Sequence, residues 1–193
     1  MHKVDFIKVL NEGKDKLSYR NALIEACLDH PEWMQILLEK IKEPPGKTAN
    51  FAARIYELTC KKNIALSLLY LDDFCDLLLK VKPDAVVRSS AKVCELMSVE
   101  YFIKKDPLFI NTLKTDHFEK IIEAGFQWMI TDQKIAVQAY TMQTLYLIGT
   151  KYPWIQNELV LTIEKNIPHS SAGYKNRGNK VIRAIRTQTP LKL

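Results

Sequence analysis

Apolar and polar residues alternate along this chain with the three- and four-residue spacing of amphipathic helices, most clearly between Leu71 and Met97. Leu71, Phe74, Leu77, Leu78 and Val81 make one stripe. Val87, Ala91, Cys94 and Met97 make a second, widened by Val86, Val93 and Leu96. Between the stripes, Lys82-Pro83-Asp84 predicts a tight turn. Pro83 has no backbone donor and biases Lys82 away from helical geometry, so the first helix is expected to stop there. Asp84 is expected to cap the second helix by accepting from its free amides. Two wide apolar faces cannot be buried by one helix pair alone, so neighbouring pairs are expected to stack on this one.

Similar stretches lie on either side. Val4, Phe6, Ile7 and Leu10 predict a short first helix ending at Gly13, and Asp15 is placed to cap a second from Lys16 to Asp29. Pro31 suits the first turn of a third helix to Glu43, with Trp33, Ile36, Leu37 and Ile41 inward. Pro44-Pro45-Gly46 breaks it, and a fourth helix covers Ala49 to Lys61. After Met97 the pattern loosens. Lys104-Lys105-Asp106-Pro107 ends a helix, and Leu108 to Thr115 reads as a longer loop or an extra turn, so the 99–115 connection is the most irregular in the chain. Asp116 then caps a helix with Phe118, Ile121, Ile122 and Phe126 inward, and its partner runs from Gln133 to Tyr152. Pro153 opens the next helix, and Pro168-His169-Ser170-Ser171 turns into the last, which stops before Pro190. No long linker or low-complexity segment interrupts residues 1–193, which read as one all-α domain of about five antiparallel helix pairs.

Asp84-x-x-Val87-Arg88-x-x-Ala91 resembles the core pattern of HEAT repeats, in the armadillo/HEAT superfamily. Asp132, Ile135, Ala136, Ala139, Met142 and Leu145 repeat its offsets, with Ala136 where the pattern has arginine. Ser171, Tyr174, Lys175, Gly178, Val181 and Ala184 follow it more loosely. Ala53-Arg54-Ile55-Tyr56-Glu57-Leu58 echoes Ala91-Lys92-Val93-Cys94-Glu95-Leu96. The resemblance implies an α-α superhelix with a right-handed turn, and a non-enzymatic protein-binding or scaffold role.

Composition adds bounds. The chain is 47% apolar and 26% charged, with six glycines and eight prolines, which argues against an all-β fold. A net charge of +6 admits an acidic partner. Cys27, Cys60, Cys75 and Cys94 show no metal-ligand spacing and fall in apolar patterns, so buried reduced thiols and a cytoplasmic location are expected. His2, Lys3, Asp5 and Lys8 interrupt the first ten residues, so no signal peptide is read there, and no apolar run reaches membrane-spanning length.

No phosphate-cradling glycine loop, zinc-protease motif, nucleophile elbow or cofactor fingerprint occurs. His2, His30, His117 and His169 are unrelated in spacing to any nucleophile. Ser170 to Asn179 is similar to the signature loop of the fumarase/adenylosuccinate lyase superfamily. That resemblance implies Ser171 as base, with Lys175 and Asn179 on a dicarboxylate, although Gly173-Tyr174 replaces the family's Met-Pro. The same serines are candidate helix caps. HEAT-like folds also include bacterial alkylpurine DNA glycosylases, whose tryptophans and aspartate point to Trp128 and Asp132 here, while Gln127, Met129 and Gln138 stand where that family has other residues. The last helix carries a candidate binding surface: Lys175, Arg177, Lys180, Arg183 and Arg186, followed by Lys192. Arg177, Lys180, Arg183 and Arg186 step along one slowly drifting stripe opposite Tyr174, Gly178, Val181, Ile182 and Ile185. Such a row either contacts phosphates or solubilises the end of the stack. Another protein is the first expected partner and nucleic acid the alternative.

Overall fold

The computed structural model describes residues 1–191, and among these there are eleven α-helices and no strand. They are α1 (Lys3–Glu12), α2 (Leu17–Asp29), α3 (Met34–Lys42), α4 (Lys47–Lys62), α5 (Leu71–Leu78), α6 (Asp84–Ser98), α7 (Pro107–Thr112), α8 (Thr115–Ile130), α9 (Ile135–Gly149), α10 (Pro153–Asn166) and α11 (Ala172–Thr187). Lys192 lies outside the described residues.

The helices pack in two rows. In one, α4 lies against α6, α6 against α9 and α9 against α11; in the other, α3 touches α5, α5 lies on α8 and α8 meets α10. The rows are tied by α3 on α4, α8 on α9 and α10 on α11, while α1 and α2 close the free side of α4. One continuous cluster of buried side chains runs between the rows from Phe6 to Leu191. Helices α4 and α9 have neighbours on several sides; α9 is apolar around most of its circumference, as an interior helix must be, while α4 keeps one polar side.

Local chemistry sets most of the boundaries. Gly13 ends α1 in the left-handed region at φ 59°, and its amide returns to the Leu10 carbonyl at 3.1 Å. A side chain there would be strained, and its Cβ would press on Lys47. Ser171 caps α11 by accepting from the Tyr174 amide, as one of its two expected roles required. Asp106 caps α7 by accepting from the Leu108 amide, with Pro107 at the first position. The 99–115 connection is thus helical. A π-helical segment, Val99–Lys104, continues α6, Lys105 takes a left-handed conformation, and α7 is the extra turn.

Several predicted boundaries move. Helix α5 stops at Leu78, ahead of Lys82, and Val81 is already outside it although its amide still reaches the Leu77 carbonyl. Asp84 does not cap α6. The N-cap is Pro83, whose carbonyl takes the Val86 and Val87 amides, and Asp84 stands at the first helical position with its carboxylate 3.4 Å from Lys134. Asp15 and Asp116 likewise give up the capping positions to Lys16 and Lys114; Asp15 binds Arg20 and Asp116 binds Lys120. In each case the carboxylate lies within ion-pair distance of a cation instead. Also, α5 packs on α8 and α3 rather than lying along α6, so the predicted hairpin contributes one helix to each row.

Small residues set the closest approaches. Ala91 is buried between helices, whereas Ala139 is half-buried. A Cβ on Gly178 would lie 2.6 Å from Ile163 Cγ2, so α11 meets α10 where only glycine fits. Ala91→Leu and Gly178→Ala are each expected to destabilise by about 1–3 kcal/mol through overpacking. Urea denaturation midpoints check this, and an unchanged midpoint for either variant contradicts the packing described.

Candidate binding face

The row α4–α6–α9–α11 carries a line of charged and polar side chains that passes from helix to helix. At its start is Glu57 of α4, which shares a helix face with Ala53 and Cys60 and has no exposed surface. Burial raises the pKa of its carboxyl, but the ammonium of Lys61 beside Oε1 and the charges of Arg88 and Arg54 overcome that, and it titrates below its ordinary value of 4.5. One oxygen, Oε2, accepts from Arg54 Nη1 at 2.9 Å, from Arg88 Nη2 at 2.8 Å and from the Ser89 hydroxyl at 2.9 Å; Lys61 Nζ lies 2.9 Å from Oε1. Arg54 and Lys61 come from α4 itself at helical spacing, while Arg88 and Ser89 come from α6. Three cations thus surround one carboxylate, a local surplus of two positive charges.

The seam continues along the row. Lys92 pairs with Glu95 one turn on in α6, repeating the Arg54–Glu57 pair of α4, and its ammonium lies 4.6 Å from the centre of the Tyr140 ring on α9. From α11, Arg177 donates to the amide oxygen of fully buried Gln143 on α9. Burial pushes the Arg177 guanidinium down, and Glu95 across the seam opposes that shift. Every helix of the row therefore contributes to a polar line in which acidic and amide groups hold the cations in place.

The predicted row on α11 is divided by this arrangement. Arg177 is half-buried and turned toward α9, so it leaves the exposed stripe. Arg186 is exposed and paired with Glu164 at 2.6 Å. Lys180 and Arg183 are exposed, and among the described residues neither has a carboxylate within ion-pair distance. Lys175 is half-buried.

The enzyme-like strings do not assemble into a site. The Ser171 oxygen is engaged as the α11 cap, while Asn179 is exposed on the opposite side from the core. Trp128 is a core residue of α8, so it does not share a surface with exposed Asp132. All four cysteines are free and buried; burial pushes Cys27 and Cys75 up to about 12 and the others also upward, which keeps the thiols protonated and poorly nucleophilic.

One arrangement that sequence spacing could not show is the pair His117–Asp72. Nε2 of buried His117 lies 2.6 Å from an exposed Asp72 oxygen, and Nδ1 accepts from the Lys114 amide at 3.1 Å. The amide contact fixes the proton on Nε2, which donates to Asp72. Both ring nitrogens are committed, so the dyad fastens the start of α8 to α5 rather than offering a base. The Asp72 carboxyl is held below its usual range chiefly by the His117 hydrogen bond.

Among the described residues no group of three or more His, Cys, Asp or Glu is placed to hold a metal ion, and no helix is long and apolar enough to cross a membrane.

Because the folded-state pKa of Glu57 is depressed, its contribution to stability is complete above the ordinary carboxyl pKa and is lost as pH falls through the lower folded value. Glu57→Gln is expected to destabilise at pH 7 by about 3–5 kcal/mol, because three cations lose their buried partner. The same substitution should cost less at pH 3. Thermal denaturation at the two pH values measures both, and a pH-independent difference contradicts the charged state of Glu57.

Compared with known proteins, the chain matches no family model, no curated protein and no solved structure.

Proposed function

We propose that this chain is a HEAT-like helical-repeat scaffold, a non-enzymatic module that binds another protein through the face carrying Arg54, Arg88, Lys92 and Tyr140. The observation that carries the reading is the seam itself. Successive helices of one row repeat an arginine- or lysine-carboxylate pair three residues apart, Arg54–Glu57 and then Lys92–Glu95, with neighbouring helices linked through those groups. Stacked repeats that keep one helix of each pair on a common surface generate such a line, and repeat proteins use such surfaces for binding. The two-row packing suits the same architecture, an α-α superhelix for which we infer a right-handed turn. Free, buried thiols suit a reducing compartment, and we place the protein in the cytoplasm on that ground.

Nucleic acid is the second reading, favoured by Lys180 and Arg183, which stay exposed without an acidic partner. Phosphate contact by these residues would make association fall steeply with salt.

Affinity capture from native cells separates the two. The wild type is compared with Lys92→Ala/Tyr140→Ala, with Lys180→Glu/Arg183→Glu, and with Glu123→Ala, an exposed change on α8 in the other row. A protein set retained by the wild type and by Glu123→Ala, but lost from Lys92→Ala/Tyr140→Ala, is expected. Capture that disappears on nuclease treatment and in Lys180→Glu/Arg183→Glu would replace this reading with the nucleic-acid one, and equal capture by all variants would remove the face from consideration.

A further inference from the structure

An open groove of about 460 Å3 lies beside the Glu57 cluster, between the loop after α1 and the first halves of α4 and α6. Lys47, Asn50 and Arg54 of α4 and Arg88 and Ser89 of α6 line it, and Glu57 lies directly behind. The side chains of Arg54 and Arg88 are 30% and 28% exposed, so each guanidinium has one side against Glu57 and another toward the groove. Each donates one N–H group to the carboxylate, and a guanidinium has five. Holding two flexible side chains on a buried anchor removes much of the entropy cost of ordering them around a ligand. The groove's carboxylate, Asp15, is neutralised by Arg20 at 2.9 Å.

The positive ends of two helices add to this: neither α4 nor α6 has a side-chain cap at its N-terminus, and their first turns, at Lys47 and Ala85, open onto the groove. Lys47, Arg54 and Arg88 line the groove against the one charge of Glu57, and that excess matches a phosphate monoester, which carries about −1.5 to −2 at neutral pH, better than a carboxylate. Its volume falls among ligand-binding clefts, yet the open side suits a segment of a larger molecule. Phe51 also lines the groove but is almost fully buried, so it offers no face on which a nucleobase could stack.

We propose that this groove recognises a phosphoserine- or phosphothreonine-bearing segment of a partner protein, with Arg54 and Arg88 as paired donors to the phosphate and Glu57 as the positioning residue behind them. The inference rests on the protein-binding reading above and gives that partner its chemistry. Guanidinium forks suit this role because they meet phosphate oxygens two at a time.

The test uses the full chain and an immobilised degenerate peptide library centred on phosphoserine, the same library carrying serine, and a single-stranded DNA oligonucleotide as competitor. Retention on the phosphorylated library is expected to exceed that on the serine library by about tenfold, the scale of one charge-assisted fork. Lys47→Glu, an exposed change, and Arg88→Lys, which keeps the charge on Glu57 but loses the fork, should each remove that preference while thermal denaturation stays cooperative. Should Arg88→Lys fail to fold, Lys47→Glu decides alone. Equal retention on both libraries, or a preference untouched by Lys47→Glu, overturns the inference; displacement by the oligonucleotide at low concentration overturns it in favour of nucleic acid. If the phosphorylated library is not retained while partner capture still depends on Lys92 and Tyr140, the phosphate inference falls and the scaffold reading stands.

Discussion

A carboxylate fully removed from water is costly unless cations and donors surround it, and much of what is distinctive in this structure follows from meeting that cost at Glu57. Arg54 and Lys61 are supplied by the same helix, but Arg88 and Ser89 must come from the next one, so α4 and α6 are held at one rotation and one axial offset. A buried ion cluster of this kind adds little net stability over well-packed apolar residues, while loss of one partner is strongly destabilising. Its consequence is register. It also leaves cations at the surface in excess of the carboxylate they serve, and that excess makes one side of the α4–α6 pair a place for an anion.

The same logic extends along the row with weaker partners. On α6 the pair becomes Lys92 and Glu95, and the link to α9 is made through the Tyr140 ring instead of a second carboxylate. Helix α9 carries no lysine or arginine of its own. Arg177 reaches in from α11 and finds the amide of Gln143. Cations and their acceptors are thus shared between neighbouring helices, which couples the position of each helix to the next. On the other row the His117–Asp72 contact fastens α8 to α5 in the same manner.

The helices were legible in the sequence because their apolar stripes are wide and their breaks are marked by Pro, Gly and Ser residues, as at Gly13, Pro153 and Ser171. The caps at Asp15, Asp84 and Asp116 were not, since an aspartate beside a helix start can serve amides or a distant cation, and Arg20, Lys134 and Lys120 are brought near by folding. The pairing of α5 with α8 depends on long-range packing that no local pattern encodes. For the site, the echo of Arg54 and Glu57 in Lys92 and Glu95 was visible, but its meaning was not. The available signal was Glu57 itself: a carboxylate at helical spacing between Ala53 and Cys60 must be buried if they are, and a buried carboxylate implies cations nearby. Charge is more abundant on α11, where Arg177 follows the helical stripe in sequence but turns inward in the fold to reach Gln143.

Glu57 and Arg88 act as one unit joining α4 to α6. A double-mutant cycle on urea stability, with Glu57→Gln, Arg88→Gln and the two combined, tests this most directly. Coupling of about 1–3 kcal/mol, the upper range for residues in contact, is the predicted result. Additive effects within about 0.3–0.5 kcal/mol, as found for independent sites, would contradict the account.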